Sequence, residues 1–373
     1  MKHNSRRGPT IILLISLATM LAMLAFSHST RIANAHAAGT SLNTLAAPVP
    51  HSTDDGATFP VLVTGPDEGY GPTVNVVRRS SAGFLTRVIQ AYPPSFTGGV
   101  RVATGDIDGD GRAEIITAPG PGMAPHVRIF DLLTGRPFRP QRDFLAYRGN
   151  FHGGVFVATG DVNGDGRAEI ITGAGAGGRP VVRVFDGLTG EMLNSFLAYH
   201  TSFRGGVHVA TGDINGDGMA EIVTAPGAGS GPVVKVFSPI GSALMQSFPA
   251  YPASFLGGVY LDCADFNHDG FDEIITGPGA GGPPLVKVFD VHNNLNVLRS
   301  VLAFSPSFNG GVRVAFGDFN GDGDVDGADF VVGAGPGAGP HVRVFEGVSG
   351  AVVRDYFAYP NFSGGVFVAG FKR

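Results

Sequence analysis

The residues best placed to do chemistry are carboxylates at alternate positions of five short loops. Four copies read Asp-x-(Asp or Asn)-x-Asp-Gly with a glutamate at the ninth place: Asp106, Asp108, Asp110 and Glu114; Asp161, Asn163, Asp165 and Glu169; Asp213, Asn215, Asp217 and Glu221; Asp265, Asn267, Asp269 and Glu273. A fifth places Asp318, Asn320 and Asp322 in the same pattern. Oxygens at alternate places converge on one concavity, glycine at the sixth place lets the chain turn sharply, and the seventh residue offers its carbonyl. That residue is Arg112, Arg167, Met219, Phe271 or Asp324. Hard oxygen donors without imidazole or thiolate favour Ca²⁺ over zinc or copper. A single loop of this kind reads as well as an acidic turn, but five in register predict five calcium sites. In the fifth loop three extra residues leave Asp326 at the ninth place and Asp329 at the twelfth, where an EF-hand loop puts its closing carboxylate. Spacing leaves open which of the two closes it.

Each loop sits inside a repeated unit. Phe-x-Gly-Gly-Val recurs with its glycines at 98–99, 153–154, 205–206, 257–258, 310–311 and 364–365, and Pro-x-Val-x-Val or a near variant starts at Pro72, Pro125, Pro180, Pro232, Pro284 and Pro340. A period of this size marks a repeat architecture. In the unit that starts at Gly153, apolar alternation predicts strands at Val155–Thr159, Glu169–Thr172, Val181–Phe185 and Ser195–Tyr199. Gly173–Gly178 supplies a turn between the second and third, and Asp186–Gly190 a hairpin loop between the third and fourth. Four antiparallel strands per unit of about fifty residues is the blade of a β-propeller, so the fold class expected is all-β, with about six four-stranded blades. Composition agrees: 58 glycines, 26 prolines and no tryptophan suit many turns and short strands.

The ends of the repeat region complement each other. Val61–Thr64 matches the second strand of a unit and Val366–Ala369 the first, so together they predict one blade that closes the ring and removes exposed edges. An acidic loop is missing only from this divided unit.

Ahead of the repeats, residues 1–37 read as an export signal: Lys2, Arg6 and Arg7 precede an apolar run from Ile11 to Phe26, and small residues follow at Ala33, Ala35 and Ala37. Residues 38–58 form a linker of Ala, Ser, Thr and Pro, and residues 59–373 the propeller. Cleavage removes Lys2, Arg6, Arg7 and Arg31 and no acid, which takes the net charge from −5 to −9. A secreted, extracellular protein is expected, with no stable membrane insertion after cleavage and no nucleic-acid partner. The lone Cys263 excludes an intramolecular disulfide, so calcium is the expected source of extracellular stability.

Five Asp-x-Asx-x-Asp-Gly loops, each after a short strand and before a Gly- and Pro-rich turn, resemble the FG-GAP or VCBS repeats of integrin α-subunit propellers and of many secreted bacterial proteins. The name-giving pair stands literally only at Phe316-Gly317, while Ala118-Pro119-Gly120 and Ala225-Pro226-Gly227 echo its second half. The ninth ligand is mostly Glu where the family usually has Asp, and integrin propellers have seven blades. The resemblance implies structural calcium sites on one face of the ring, and functions ranging from cell adhesion to carbohydrate binding.

No catalytic constellation is legible. There is no Gly-x-Ser-x-Gly elbow and no histidine cluster of metal-binding type, and Cys263 lies in an apolar strand as a buried thiol would. A monomeric scaffold that binds an extracellular polysaccharide or protein is therefore expected; a polysaccharide lyase or hydrolase on a propeller, or a lectin, are the alternatives. A lectin would use Tyr92, Tyr147, Tyr199, Tyr251 and Tyr359, but their repetition beside alanine predicts packing between blades. Arg128, Arg183, Lys235, Lys287 and Arg343 recur at one place of the third strand, with Asn75 in the sixth copy, and are a candidate ligand ring for an acidic polymer. Arg101, Phe156, His208, Tyr260, Arg313 and Phe367, at one variable place of the first strands, are candidates for selectivity near a central channel.

Overall fold

Apolar runs of five or six residues, cut by glycine-rich turns, form twenty-four strands in a computed structural model. It describes residues 61–371 without 81–82, 139–142, 242, 321–327 and 348. The expected export signal and linker lie outside the described residues, as do Asp322, Asp324 and Asp326 of the fifth loop.

The strands form six four-stranded sheets. Five are consecutive in sequence: β4 (Val100–Gly105), β5 (Glu114–Pro119), β6 (His126–Asp131) and β7 (Phe144–Leu145); β8 (Val155–Gly160), β9 (Glu169–Ala174), β10 (Val181–Phe185) and β11 (Met192–Leu197); β12 (Val207–Gly212), β13 (Glu221–Pro226), β14 (Val233–Phe237) and β15 (Leu244–Pro249); β16 (Val259–Ala264), β17 (Glu273–Pro278), β18 (Leu285–Asp290) and β19 (Asn296–Leu302); β20 (Val312–Gly317), β21 (Asp329–Ala334), β22 (His341–Phe345) and β23 (Val352–Phe357). The sixth joins the two ends: β24 (Val366–Gly370) pairs antiparallel with β1 (Val61–Pro66), which continues to β2 (Thr73–Ser80) and β3 (Gly83–Gln90). Its register runs from Leu62 opposite Gly370 to Pro66 opposite Val366. The expected divided blade is present.

Burial is greatest at the second strands and falls outward from them. Second strands such as β9, Glu-Ile-Ile-Thr-Gly-Ala, are buried at every residue, third strands alternate, and fourth strands such as β11 are largely exposed. The first strands abut in a closed cycle, β24 to β4, β8, β12, β16, β20 and back to β24. This is a six-bladed propeller. Its apolar core is shared between neighbouring blades: Ala103, Ile116 and Val127 of one pack with Val155, Ile170 and Phe185 of the next.

The fourth strand differs from expectation. It spans Met192–Leu197 and not Ser195–Tyr199. Ala198 N bonds Pro180 O at 3.0 Å, and the chain leaves the pleat there so that Tyr199 can turn toward the next blade. Four tyrosines of this series donate their hydroxyls to a carbonyl of that blade: Tyr92 to His126 O, Tyr147 to Val181 O, Tyr199 to Val233 O and Tyr251 to Leu285 O, at 2.8–2.9 Å. The rings are inter-blade packing and present no exposed sugar platform. Among the described residues no helix is long and apolar enough to cross a membrane.

Candidate metal centres

The acidic loops leave the first strand and enter the second, so the β-ladder fixes both of their ends. In each of the four fully described copies the first aspartate organises the turn. Asp161 Oδ1 accepts from Gly164 N at 2.7 Å and Asp165 N at 3.2 Å, and its Oδ2 accepts from Gly166 N at 2.8 Å. Asp106 and Asp213 repeat all three bonds within 0.1 Å, and Asp265 accepts from Asp269 N and Gly270 N at 3.2 and 3.0 Å. The sixth-place glycines Gly111, Gly166, Gly218 and Gly270 have φ of +82° to +87°, a conformation that disfavours a side chain.

The ninth-place glutamate closes each loop from below. Glu114, Glu169, Glu221 and Glu273 are 0–3% exposed, and each accepts from the amide of the loop's second residue, as in Val162 N to Glu169 Oε2 at 3.1 Å. Its other oxygen faces the third-place residue: Asn163 Nδ2 donates to Glu169 Oε1 at 2.8 Å, and Asn215 and Asn267 do the same at 2.8 and 3.0 Å. Burial, reinforced by the neighbouring aspartates, pushes Glu114 and Glu273 up to about 8 and Glu169 and Glu221 up to about 7. A divalent cation among these oxygens would offset that cost. The residues fit such an ion: one oxygen from each of Asp106, Asp108 and Glu114 lies within 4.8 Å of the others, and the same holds for Asp269, Glu273 and Asp290.

Asp290 was not among the sequence candidates. It is the last residue of the third strand β18, as Asp131 is of β6, while Asp186 directly follows β10. In the fifth loop Asp329 occupies the place of the buried glutamates: it begins β21, is 1% exposed, and its Oδ2 accepts from Phe319 N at 3.1 Å and Asn320 N at 2.9 Å. Between the loops the first strands open into a cavity of about 830 Å³ edged by Asp106, Asp161, Asp213, Asp262 and Asp272.

The five third-strand cations are engaged between blades. Arg128, Arg183, Lys235, Lys287 and Arg343 each donate to the carbonyl of the alanine beside the tyrosine or phenylalanine of the preceding blade (Ala91, Ala146, Ala198, Ala250 and Ala303) at 2.6–3.1 Å. Asn75 does the same to Ala358 at 2.8 Å. Arg183, Lys235 and Lys287 also lie over Tyr147, Tyr199 and Tyr251, 4.7–5.2 Å from the ring centroids, and Arg128 and Arg343 pair with Asp143 and Asp355. Cys263 is buried in the core between blades.

A family model of the FG-GAP-like repeat matches residues 161–224, which begins at the first aspartate of one loop and takes in the whole of the next. No curated protein matches the chain in sequence. Among solved structures, a protein of unknown function from Bacteroides caccae is 14% identical with a TM-score of 0.50, over 84% of this chain and 100% of that one. The exotype rhamnogalacturonan lyase YesX is 17% identical with a TM-score of 0.42, over 84% of this chain and 66% of the lyase. The V. cholerae biofilm matrix protein Bap1 is 22% identical with a TM-score of 0.37, over 71% and 40% of the two chains. This chain thus spans less than two-thirds of the length of the lyase and of the biofilm protein. The chain carries an FG-GAP-like repeat and folds as a six-bladed propeller.

Proposed function

We propose that this protein is an exported calcium-binding propeller that serves as a binding scaffold for an extracellular polysaccharide or protein. The observation that carries the calcium reading is the repetition of one oxygen-lined loop whose closing carboxylate is buried at the head of a core strand. Burying a carboxylate charge is costly, and four glutamates and Asp329 are buried at equivalent places. Asp106, Asp108, Asp110, Glu114 and the carbonyl of Arg112 would hold the ion in the first loop, with their counterparts in the others. Bound calcium would neutralise the loop, join the first strand to the second, and replace the cross-links that a chain with one cysteine lacks.

The scaffold reading is supported by a rigid ring of six blades that presents different loops at the two ends of its axis. Titration of the full chain with CaCl₂ by calorimetry, beside an Asp161→Ala, Asp165→Ala double variant, tests the metal: one site fewer is expected in the variant. Retention of the protein on immobilised acidic and neutral polysaccharides and on matrix proteins, in Ca²⁺ and in EDTA, tests the partner class.

A further inference from the structure

The opposite end of the same first strands carries a different site. Arg101, Phe156, His208, Tyr260, Arg313 and Phe367 each occupy the second place of an inner strand and meet in one layer across the axis, lining a cavity of about 70 Å³. Five of them lie four residues before the end of their strands and Phe367 three, or roughly 10–13 Å away at ~3.3 Å per residue. The layer is therefore separate from the acidic loops.

Two guanidinium groups flank a single ring in this layer. Arg101 and Arg313 both place Cζ 4.9 Å from the centroid of Phe367, one from each neighbouring blade. Arg101 also lies over Phe156 at 5.3 Å and Arg313 over Tyr260 at 5.1 Å. His208 completes the layer, stacked on Tyr260 at 4.3 Å and donating from Nδ1 to Val259 O at 2.5 Å. Arg313 is paired with Asp67, and its side chain is only 7% exposed. Arg101 Nη1 donates to Gly98 O at 3.2 Å.

These contacts leave donors unused. Among the described residues nothing accepts a hydrogen bond from Arg101 Nε, Arg313 Nε or Arg313 Nη1, and all three atoms are buried. A buried donor of a charged group without a partner carries an uncompensated desolvation cost, and three occur together in one layer. Two guanidinium groups share one directly paired carboxylate, Asp67; the other acid acting on Arg101, Glu68, is exposed and makes no ion pair with it.

We propose that this layer is a receptor for a single carboxylate group, held in the axial cavity by Arg101 and Arg313. Guanidinium forks match the two oxygens of a carboxylate. The cavity, at about 70 Å³, is several times the ~10–15 Å³ that one water molecule needs on the same measure. It has room for a carboxylate head. A uronate would leave its ring at the mouth against Phe156 and Tyr260, which are half-buried. A free small carboxylate would enter whole.

Calorimetric titration of the full chain in Ca²⁺ at constant ionic strength, with acetate, glucuronate and glucose as probes, tests the site. Acetate and glucuronate are expected to bind one per chain and glucose not at all, and Arg101→Gln to weaken both acids at least tenfold. Glucuronate binding more tightly than acetate identifies a uronate source; equal affinity identifies a free small carboxylate. Arg101→Lys keeps the charge and loses the fork, and decides the matter if Arg101→Gln does not fold, with a threefold or greater weakening expected. Failure of both acids to bind the parent, or binding unchanged in the variant that folds, overturns the proposal.

Discussion

The hydroxyl of Tyr359 donates to the backbone carbonyl of Thr64 at 2.7 Å, across 295 residues of sequence. The same hydroxyl reaches Thr73 O at 3.2 Å. It is the inter-blade contact of Tyr147 repeated where the chain's two ends meet, and it pins the fifth complete blade to the divided one. Tyr359→Phe leaves a buried carbonyl short of a donor and is expected to cost about 1–2 kcal/mol. Tyr147→Phe should cost a similar amount. Urea midpoints of the two variants check this, and an unchanged midpoint for Tyr359→Phe would show that the closure contact carries no stability.

Ring closure by β24 makes a stronger prediction. Deletion of Gly364–Arg373 removes five backbone pairs with β1 and the ring of Phe367 from the axial layer. The truncated chain is expected to aggregate or unfold, since it exposes an edge that the intact ring covers. A monomeric truncated chain with the parent's melting temperature would contradict the role given to the divided blade.

The third-strand cations are expected to stabilise the fold in the same way. Lys235 Nζ donates to Ala198 O at 2.8 Å and lies 4.7 Å from the centroid of Tyr199. Lys235→Met keeps the stem and removes the donor, at an expected cost of roughly 1–2 kcal/mol. Chemical denaturation of the variant checks it, and a cost near zero would mark the residue as free for ligand binding alone.

Acid sensitivity has an identifiable source in His208. Burial, with Arg101 and Arg313 adding to it, holds the imidazole down to about 4 from an ordinary value of 6.5. The folded state thus favours the neutral ring. The contribution is present in full above pH 6.5 and is lost as pH falls toward about 4, where the unfolded chain binds the extra proton. Its size is on the order of 3 kcal/mol at most. His208→Phe should flatten the loss of stability between pH 6.5 and 4.5 in saturating calcium. Parallel pH profiles for parent and variant would exclude the histidine as the source.

Most of the fold was legible because one unit is written six times. Phe-x-Gly-Gly-Val and Pro-x-Val-x-Val marked blade boundaries and core strands, and the mismatched ends at Val61 and Val366 announced closure. Inter-blade geometry was not legible. The strand ends at Leu197 because Tyr199 must reach Val233, and a two-residue alternation carries no trace of that partner. Arg183 and Lys235 read as a ring of surface charge, whereas their hydrogen bonds run to backbone carbonyls of the preceding blade. In the fifth loop counting could not separate Asp326 from Asp329, while burial at the head of β21 puts Asp329 in the glutamate's place. Asp67 did leave a signal: it stands where the other five copies carry Gly120, Gly175, Gly227, Gly279 and Gly335, and it is the partner of Arg313.

Calcium is the centre of the account. With Kd of ~0.1 mM per site, ~1 mM Ca²⁺ contributes about 1.4 kcal/mol at each of five sites, or on the order of 7 kcal/mol, comparable to the typical net stability of a domain at about 5–15 kcal/mol. The most direct measurement pairs the metal content of the purified protein, equilibrated in 1 mM CaCl₂, with its melting temperature there and in EDTA. About five calcium ions per chain and a steep fall in melting temperature on chelation are expected. No retained calcium and the same melting temperature in EDTA would contradict the calcium-loaded propeller outright.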